Sequence, residues 1–204
     1  MTDEEIKQIE ADLDELYNTK KQLSPLTRYM YENNCEYIAS GTARSVYKLN
    51  DDKVLKIAKN KKGIAQNNVE ADWALRNYGI IADWYDISDN GIWIESEFCK
   101  KAKKSDFYEL TGLKFDWFQE AVRYNYFYLH PCRYFGVSKP EGYDEEVEKE
   151  DSFLVSIESY MADFDVPFGD LCRISSYGIN HNNEIVLVDY GLNRSVEEEF
   201  YKRK

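Results

Sequence analysis

The chain has 204 residues, room for one generous core or two small lobes, since domains usually hold about 100–200 residues. Hydrophobic side chains make up 43% and aromatics 15%, with 17 Tyr and 4 Trp, so there is enough apolar surface to offset chain entropy and the sequence is that of a folded protein. The formal charge of -12, from 26 Lys and Arg against 38 Asp and Glu, argues against nucleic acid or an anionic membrane as a partner.

No apolar run approaches the roughly 18–20 residues that span a bilayer. The opening MTDEEIKQIE is acidic where a signal peptide is basic and then apolar, so a cytoplasmic location is expected. Cys35, Cys99, Cys132 and Cys172 lie far apart without a C-x-x-C pair, and only His130 and His181 can join them as soft ligands. That spacing argues against a structural zinc site or a disulfide framework.

Residues 2–22 carry Ile6, Ile9, Leu13 and Leu16 at helical spacing behind a Thr2/Glu5 capping-box pattern, which predicts an amphipathic helix. Ser24-Pro25 reads as the cap and first position of a short second helix to about Asn33. Both are expected to cover the sheet that follows. From Tyr37 to Ala58 the runs YIASG, ARSVYKL and KVLKIA, with Asn50-Asp51-Asp52 as a turn, predict antiparallel strands. Helical spacing returns over 64–77, with Val69, Trp73 and Leu75 among the apolar positions, and then IIADWYDI and GIWIESEF supply two more strands about Asp89-Asn90-Gly91.

Beyond Phe98 the pattern is mainly helical. Ser105 is the candidate cap of one short helix, Phe115–Leu129 is a long aromatic one, and Asp151 caps a third to about Phe164. The acidic run EGYDEEVEKED before the third reads as a solvated loop or a frayed helix start. Two short strands, YGIN and EIVLV, joined through His181-Asn182-Asn183, and a charged tail close the chain. The expected class is α+β: an N-terminal antiparallel sheet with one main helix, then a helical portion.

Four features stand in one order. In Ser40-Gly41-Thr42-Ala43-Arg44 a small-residue turn joins two strands, and Gly41 lets backbone N–H groups approach a ligand. In Val54-Leu55-Lys56-Ile57 a lysine interrupts an apolar strand, and alternation puts Val54, which can roof a flat ring, on the same face as the ammonium. Glu70, in the helix that follows, can hold that ammonium in one orientation. Pro167-Phe168-Gly169-Asp170-Leu171 and Asp189-Tyr190-Gly191 flank a hairpin with two carboxylates, one suited to taking a proton and one to ligating Mg²⁺ on phosphate oxygens. Taken singly, the turn is an ordinary hairpin, Lys56 a lysine snorkelling to water, and Glu70 a surface residue.

Taken together these motifs resemble the protein kinase-like superfamily over about residues 37–193: SGTARSVYK resembles the glycine-rich loop, VLK the lysine strand, GDL the catalytic loop and DYG the metal-binding motif. GDL is more similar to the aminoglycoside and choline kinase type than to protein kinases. The chain as a whole also resembles small kinase-like proteins of tailed bacteriophages, for which the location would be the host cytoplasm. The resemblance implies a minimal bilobal fold with residues 1–34 as a helical extension, 35–99 as the N-lobe and 100–204 as a reduced C-lobe. It implies ATP and Mg²⁺ as ligands. Gly41, Arg44, Val46, Val54, Lys56 and Glu70 then serve the nucleotide, with Glu97 to Cys99 offering backbone groups to the adenine edge. Asp170 acts in catalysis with Lys56 and Arg173, while Asp189 and Ser175 hold the metal.

Departures shape the functional expectation. Ala39, Gly41 and Arg44 stand where the family's loop has three glycines, and Arg44 is expected to contact a phosphate. Ser175 replaces the second metal-binding asparagine, and Cys172 the catalytic-loop lysine or histidine, with Arg173 beside it as a source of positive charge. The short segment after Gly191 leaves no room for a full activation segment, so the implied acceptor is a small molecule, the protein itself or a protein partner. Two functions stay open: a phosphotransferase, or a pseudokinase that binds a protein without catalysis. A third reading, an unrelated α+β binding protein, treats the motifs as coincidental.

Overall fold

The computed structural model describes residues 1–130 and 136–201; Cys132 lies outside the described residues. The protein is α+β and divides into two compact units, one of residues 1–72 and 83–98, the other of 73–82 and 99–204.

In the first unit, helices α1 (Asp3–Lys20) and α2 (Ser24–Glu32) precede strands β1 (Glu36–Ser40), β2 (Arg44–Lys48) and β3 (Lys53–Ala58). Helix α3 (Lys61–Glu70) follows, and β4 (Trp84–Ile87) and β5 (Trp93–Glu97) complete an antiparallel sheet of order β1-β2-β3-β5-β4. Thr2 closes the expected capping box: its hydroxyl accepts from Glu5 N at 3.2 Å, and Thr2 N donates to Glu5 Oε2 at 2.8 Å. At α2 the cap is Leu23, with Ser24 already helical and no side-chain cap bond. Ile6, Ile9, Leu13, Leu26 and Met30 bury against Tyr47, Leu55, Ile57, Ile92 and Trp93, so the two helices cover one sheet face as their apolar stripe predicts.

The expected helix over 64–77 ends early. It stops at Glu70, and Trp73–Tyr78 forms a 3-10 turn that opens the second unit. Residues 80–82 then pair with a distant strand: Ala82 N donates to Leu187 O at 2.9 Å and Leu187 N to Ile80 O at 2.7 Å.

The second unit holds a small antiparallel sheet of β6 (Lys100–Lys101), β7 (Tyr177–Ile179) and β8 (Ile185–Leu187). Its helices are α4 (Lys104–Thr111), α5 (Phe115–Leu129), α6 (Tyr143–Val147), α7 (Phe153–Asp163), α8 (Phe168–Leu171) and α9 (Arg194–Phe200). Phe107 is wholly buried, with ring centroids 5.0 Å from both Phe115 and Phe118 and 5.4 Å from Tyr177, which makes an aromatic centre for this core.

Three local readings change. Lys103, not Ser105, caps α4, because Asp106 Oδ2 takes the Lys103 amide at 2.9 Å. Ser152, not Asp151, caps α7. The acidic run contains α6, where Glu146 is buried and accepts from Ser152 Oγ at 2.9 Å. The tail is also helical, capped by Asn193, whose Oδ1 accepts from Val196 N at 3.0 Å.

Candidate functional site

In the first unit, the pleat of β3 sends Leu55 and Ile57 into the core under α1 and α2, and therefore Val54 and Lys56 to the opposite face. Register places Val46 beside Lys56 and Arg44 beside Ala58, so all four candidate side chains of β2 and β3 share that face. Helix α3 can lie close over it because Gly63 has no side chain: a Cβ there would sit 2.3 Å from the Ala43 carbonyl oxygen and 3.0 Å from Ala58 Cα. That approach lets Glu70, on the last turn of α3, reach the strands. Lys56 Nζ lies 2.5 Å from Glu70 Oε2.

The sequence pairs Glu70 with Lys56 alone; the structure adds Arg44. Its Nη2 is 2.7 Å from Glu70 Oε1 and its Nη1 donates to Asn67 Oδ1 at 3.3 Å, while Asn67 Nδ2 donates to Gly91 O at 2.8 Å. The side chains of Arg44, Lys56 and Glu70 are 8%, 7% and 0% exposed. Burial alone would push the Glu70 carboxyl up, but the charges of Arg44 and Lys56 outweigh it and hold the group below the usual carboxylate range. The guanidinium expected at a phosphate thus also meets Glu70. Strand alternation carried the signal: Arg44 lies two residues before Val46, on the Lys56 face.

The turn at Gly41 is held by side chains around the start of α3. Lys59 Nζ donates to Ser40 Oγ at 2.9 Å and Gly41 O at 2.8 Å, Asn60 Nδ2 to Thr42 O at 2.9 Å, and Lys62 Nζ to Thr42 Oγ1 at 2.7 Å. At the end of β5, Glu97 N donates to Asp83 O at 2.8 Å and Phe98 N to Asp52 O at 2.7 Å, so both amides serve the sheet. Cys99 begins the second unit and packs tightly on Gly178, where a Cβ would come within 2.6 Å of the Cys99 Cβ.

In the second unit, Asp170 is half-buried in α8 and Asp189 is exposed just after β8. Core side chains hold both segments. Tyr177 Oη donates to Leu171 O at 2.8 Å, Gln119 Nε2 to Cys172 O at 2.6 Å, and Tyr160 Oη to Tyr190 O at 3.1 Å, while Tyr190 Oη donates to Ala82 O at 3.0 Å. Burial pushes the Asp170 carboxyl up, the Asp189 charge adds to this, and Arg173 partly offsets it with Nη1 3.1 Å from Asp170 Oδ1. The two carboxylates are thus within electrostatic reach of each other. Ser175 is exposed in the 3-10 turn Ile174–Ser176. Cys172 is a neutral structural thiol, pushed up to about 11 by burial, and it donates to Gln119 O at 3.7 Å.

Mg²⁺ takes hard oxygen donors, commonly one or two carboxylates completed by phosphate oxygens and water. Asp189, near a second carboxylate and exposed, is a donor of that kind, and the Ser175 hydroxyl is a weaker neutral one. Among the described residues no group of three or more His, Cys, Asp or Glu is gathered to hold a metal by itself, so the fit is to a metal that arrives with oxygens of its own.

No protein-family model matches the sequence, and no curated protein matches it. Among solved structures, a choline/ethanolamine kinase family protein from Mesorhizobium loti is similar at 13% identity and TM-score 0.39, over 77% of this chain and 57% of that one. This chain thus spans little more than half the length of that relative. SAICAR synthase from Saccharomyces cerevisiae is similar at 13% identity and TM-score 0.39, over 79% and 74% of the two chains. An ADP-bound aminoglycoside phosphotransferase is similar at 15% identity and TM-score 0.38, over 89% and 70%. The functional reading rests on this chain's own residues.

Proposed function

We propose that this chain is a kinase-like protein that binds ATP with Mg²⁺ and moves the γ-phosphate to a small acceptor, to itself or to a protein partner. The observation that carries the reading is the buried strand-to-helix ion pair of Lys56 with Glu70, 2.5 Å apart with both side chains withdrawn from water. Holding a lysine ammonium this way costs desolvation and rotamer freedom, and it leaves the cation oriented for a further anionic partner. The three side chains Arg44, Lys56 and Glu70 together carry a net positive charge, the sign a phosphate requires.

In this reading Lys56 steadies the α- and β-phosphates, Val46 and Val54 lie against the adenine face, and the backbone of residues 97–99 meets its edge through groups other than the Glu97 and Phe98 amides. Asp189, with Ser175 as a neutral companion, would hold Mg²⁺, and that ion would supply charge neutralisation to the phosphates. Asp170 takes the proton of the acceptor hydroxyl as that oxygen bonds to the γ-phosphorus; the bond from phosphorus to the bridging oxygen breaks and ADP leaves with the electron pair. Arg173 adds positive charge beside Asp170.

One observation favours the alternative, a pseudokinase that binds a protein without catalysis. Cys172, where the resemblance expects a cation, is engaged with Gln119 and carries no charge.

The test is thermal unfolding with Mg-ATP at about 100 times its Kd, where mass action stabilises wild type by roughly 2.7 kcal/mol and raises Tm. Lys56→Ala and Asp189→Ala should lose most of that shift. Absence of any shift in wild type at saturating nucleotide would remove the ATP reading. Label transfer from γ-labelled ATP that survives Asp170→Asn unchanged would remove Asp170 as the catalytic group.

A further inference from the structure

Opposite the Lys56 face of the sheet, two carboxyl side chains meet beneath α1. Glu10 is 3% exposed and Glu95, on β5, is 1% exposed. Their outer oxygens are satisfied in parallel fashion: Glu10 Oε2 is 2.9 Å from Lys7 Nζ, and Glu95 Oε1 is 2.9 Å from Lys53 Nζ. Their remaining oxygens, Glu10 Oε1 and Glu95 Oε2, are buried and meet no donor among the described residues, and the Glu95 carboxyl acts on that of Glu10. Ionised carboxylate oxygens only accept, so two of them facing one another in a dry place repel. A single proton between them turns that repulsion into a charge-assisted O–H···O bond.

We propose that Glu10 and Glu95 share one proton that latches α1 to the sheet, so that docking of the N-terminal helix weakens as pH rises through neutrality. The other groups around the pair are of both signs. From α1 come Lys7 and, through Lys53, Asp3 at 3.3 Å; from β4 comes Asp86, 2.7 Å from Lys7 Nζ; from β3 comes Lys53 itself. Asp86 and Asp3 draw on the same ammonium groups, which reduces what Lys7 and Lys53 can give to a doubly ionised pair. Further along α1, Asp14 accepts from Trp93 Nε1 at 3.0 Å and adds negative charge on the same side. The Glu10 carboxyl is pushed up to about 7, by burial first and by Glu95 as well, against the pull of Lys7.

The sign follows from linkage. A carboxyl whose pKa is raised on folding takes up a proton between its ordinary value and its folded one, so stability falls as pH rises through that window and levels off above it. The device stands whether or not the chain binds a nucleotide.

The experiment follows Tm and α1 amide protection factors from about pH 5.5 to about pH 8.5 at fixed ionic strength, in wild type and in Glu10→Gln, whose amide supplies a permanent donor in place of the proton. Wild type should lose Tm and α1 protection across neutrality; the variant should be flat there and should melt above wild type at the alkaline end. A flat wild type, or an equal slope in both proteins, overturns the proposal. Should the variant fail to fold, side-chain carboxyl NMR of wild type decides: the Glu10 signal must titrate near neutrality, and its titration in the ordinary carboxylate range overturns the proposal. Glu158 is the control, because burial beside Tyr143 also pushes its carboxyl up to about 7, in the other unit. Glu158→Gln should leave α1 protection and its pH dependence unchanged.

Discussion

Glu70 and Glu10 are both buried carboxyl groups, on opposite faces of one sheet, yet their pKa values move in opposite directions. Glu70 meets two cations and is held low; Glu10 meets one cation and a second carboxyl and is pushed up to about 7. Burial is common to both, so the charge of the partners, not depth, decides which form is stable. The consequence for pH is opposite as well. The stabilisation from Glu70 is present above the ordinary carboxylate pKa and is lost in acid as pH falls through its lowered value. That from Glu10 is lost as pH rises towards neutrality.

The largest effect that can break this contrast is Glu70→Ala, which strands two buried cations and should cost about 3–5 kcal/mol, read as a lowered urea midpoint. Arg44→Met sharpens it: Lys56 still meets Glu70, so the expected loss is about 1–3 kcal/mol, and the Mg-ATP shift should persist where Lys56→Ala abolishes it. A nucleotide shift lost equally in both variants would mean that Arg44 serves the ligand directly. The smallest effect belongs to an exposed pair. Lys104 and Asp116 are 57% and 75% exposed, so Lys104→Ala should change stability by less than about 0.5 kcal/mol in the same denaturation series.

These cases also show where a sequence is informative. Alternation in VLKI placed Lys56 away from the core, and the following helix offered Glu70, because both signals are local and periodic. The aromatic spacing of 115–129 likewise defined α5 at both ends. The contact of Arg44 with Glu70 was harder to read, because alternation gives only its face and no spacing rule links a hairpin to the far end of a helix. Helix α6 hid in an acidic run because its one buried carboxylate, Glu146, is satisfied by Ser152 beyond the run. The Glu10–Glu95 contact was hidden for a further reason: spacing puts position 10 on the buried face with Ile6, Ile9 and Leu13, but a carboxyl there breaks the apolar pattern and its partner lies on a distant strand.

The fastening of the Gly41 turn has a mechanical result. Three successive carbonyls, of Gly41, Thr42 and Ala43, are tethered to Lys59 and Asn60, and a helix begins one residue later. A hairpin tip anchored in this manner cannot flap independently. Its position is thereby tied to the start of α3, the helix that carries Glu70 at its other end.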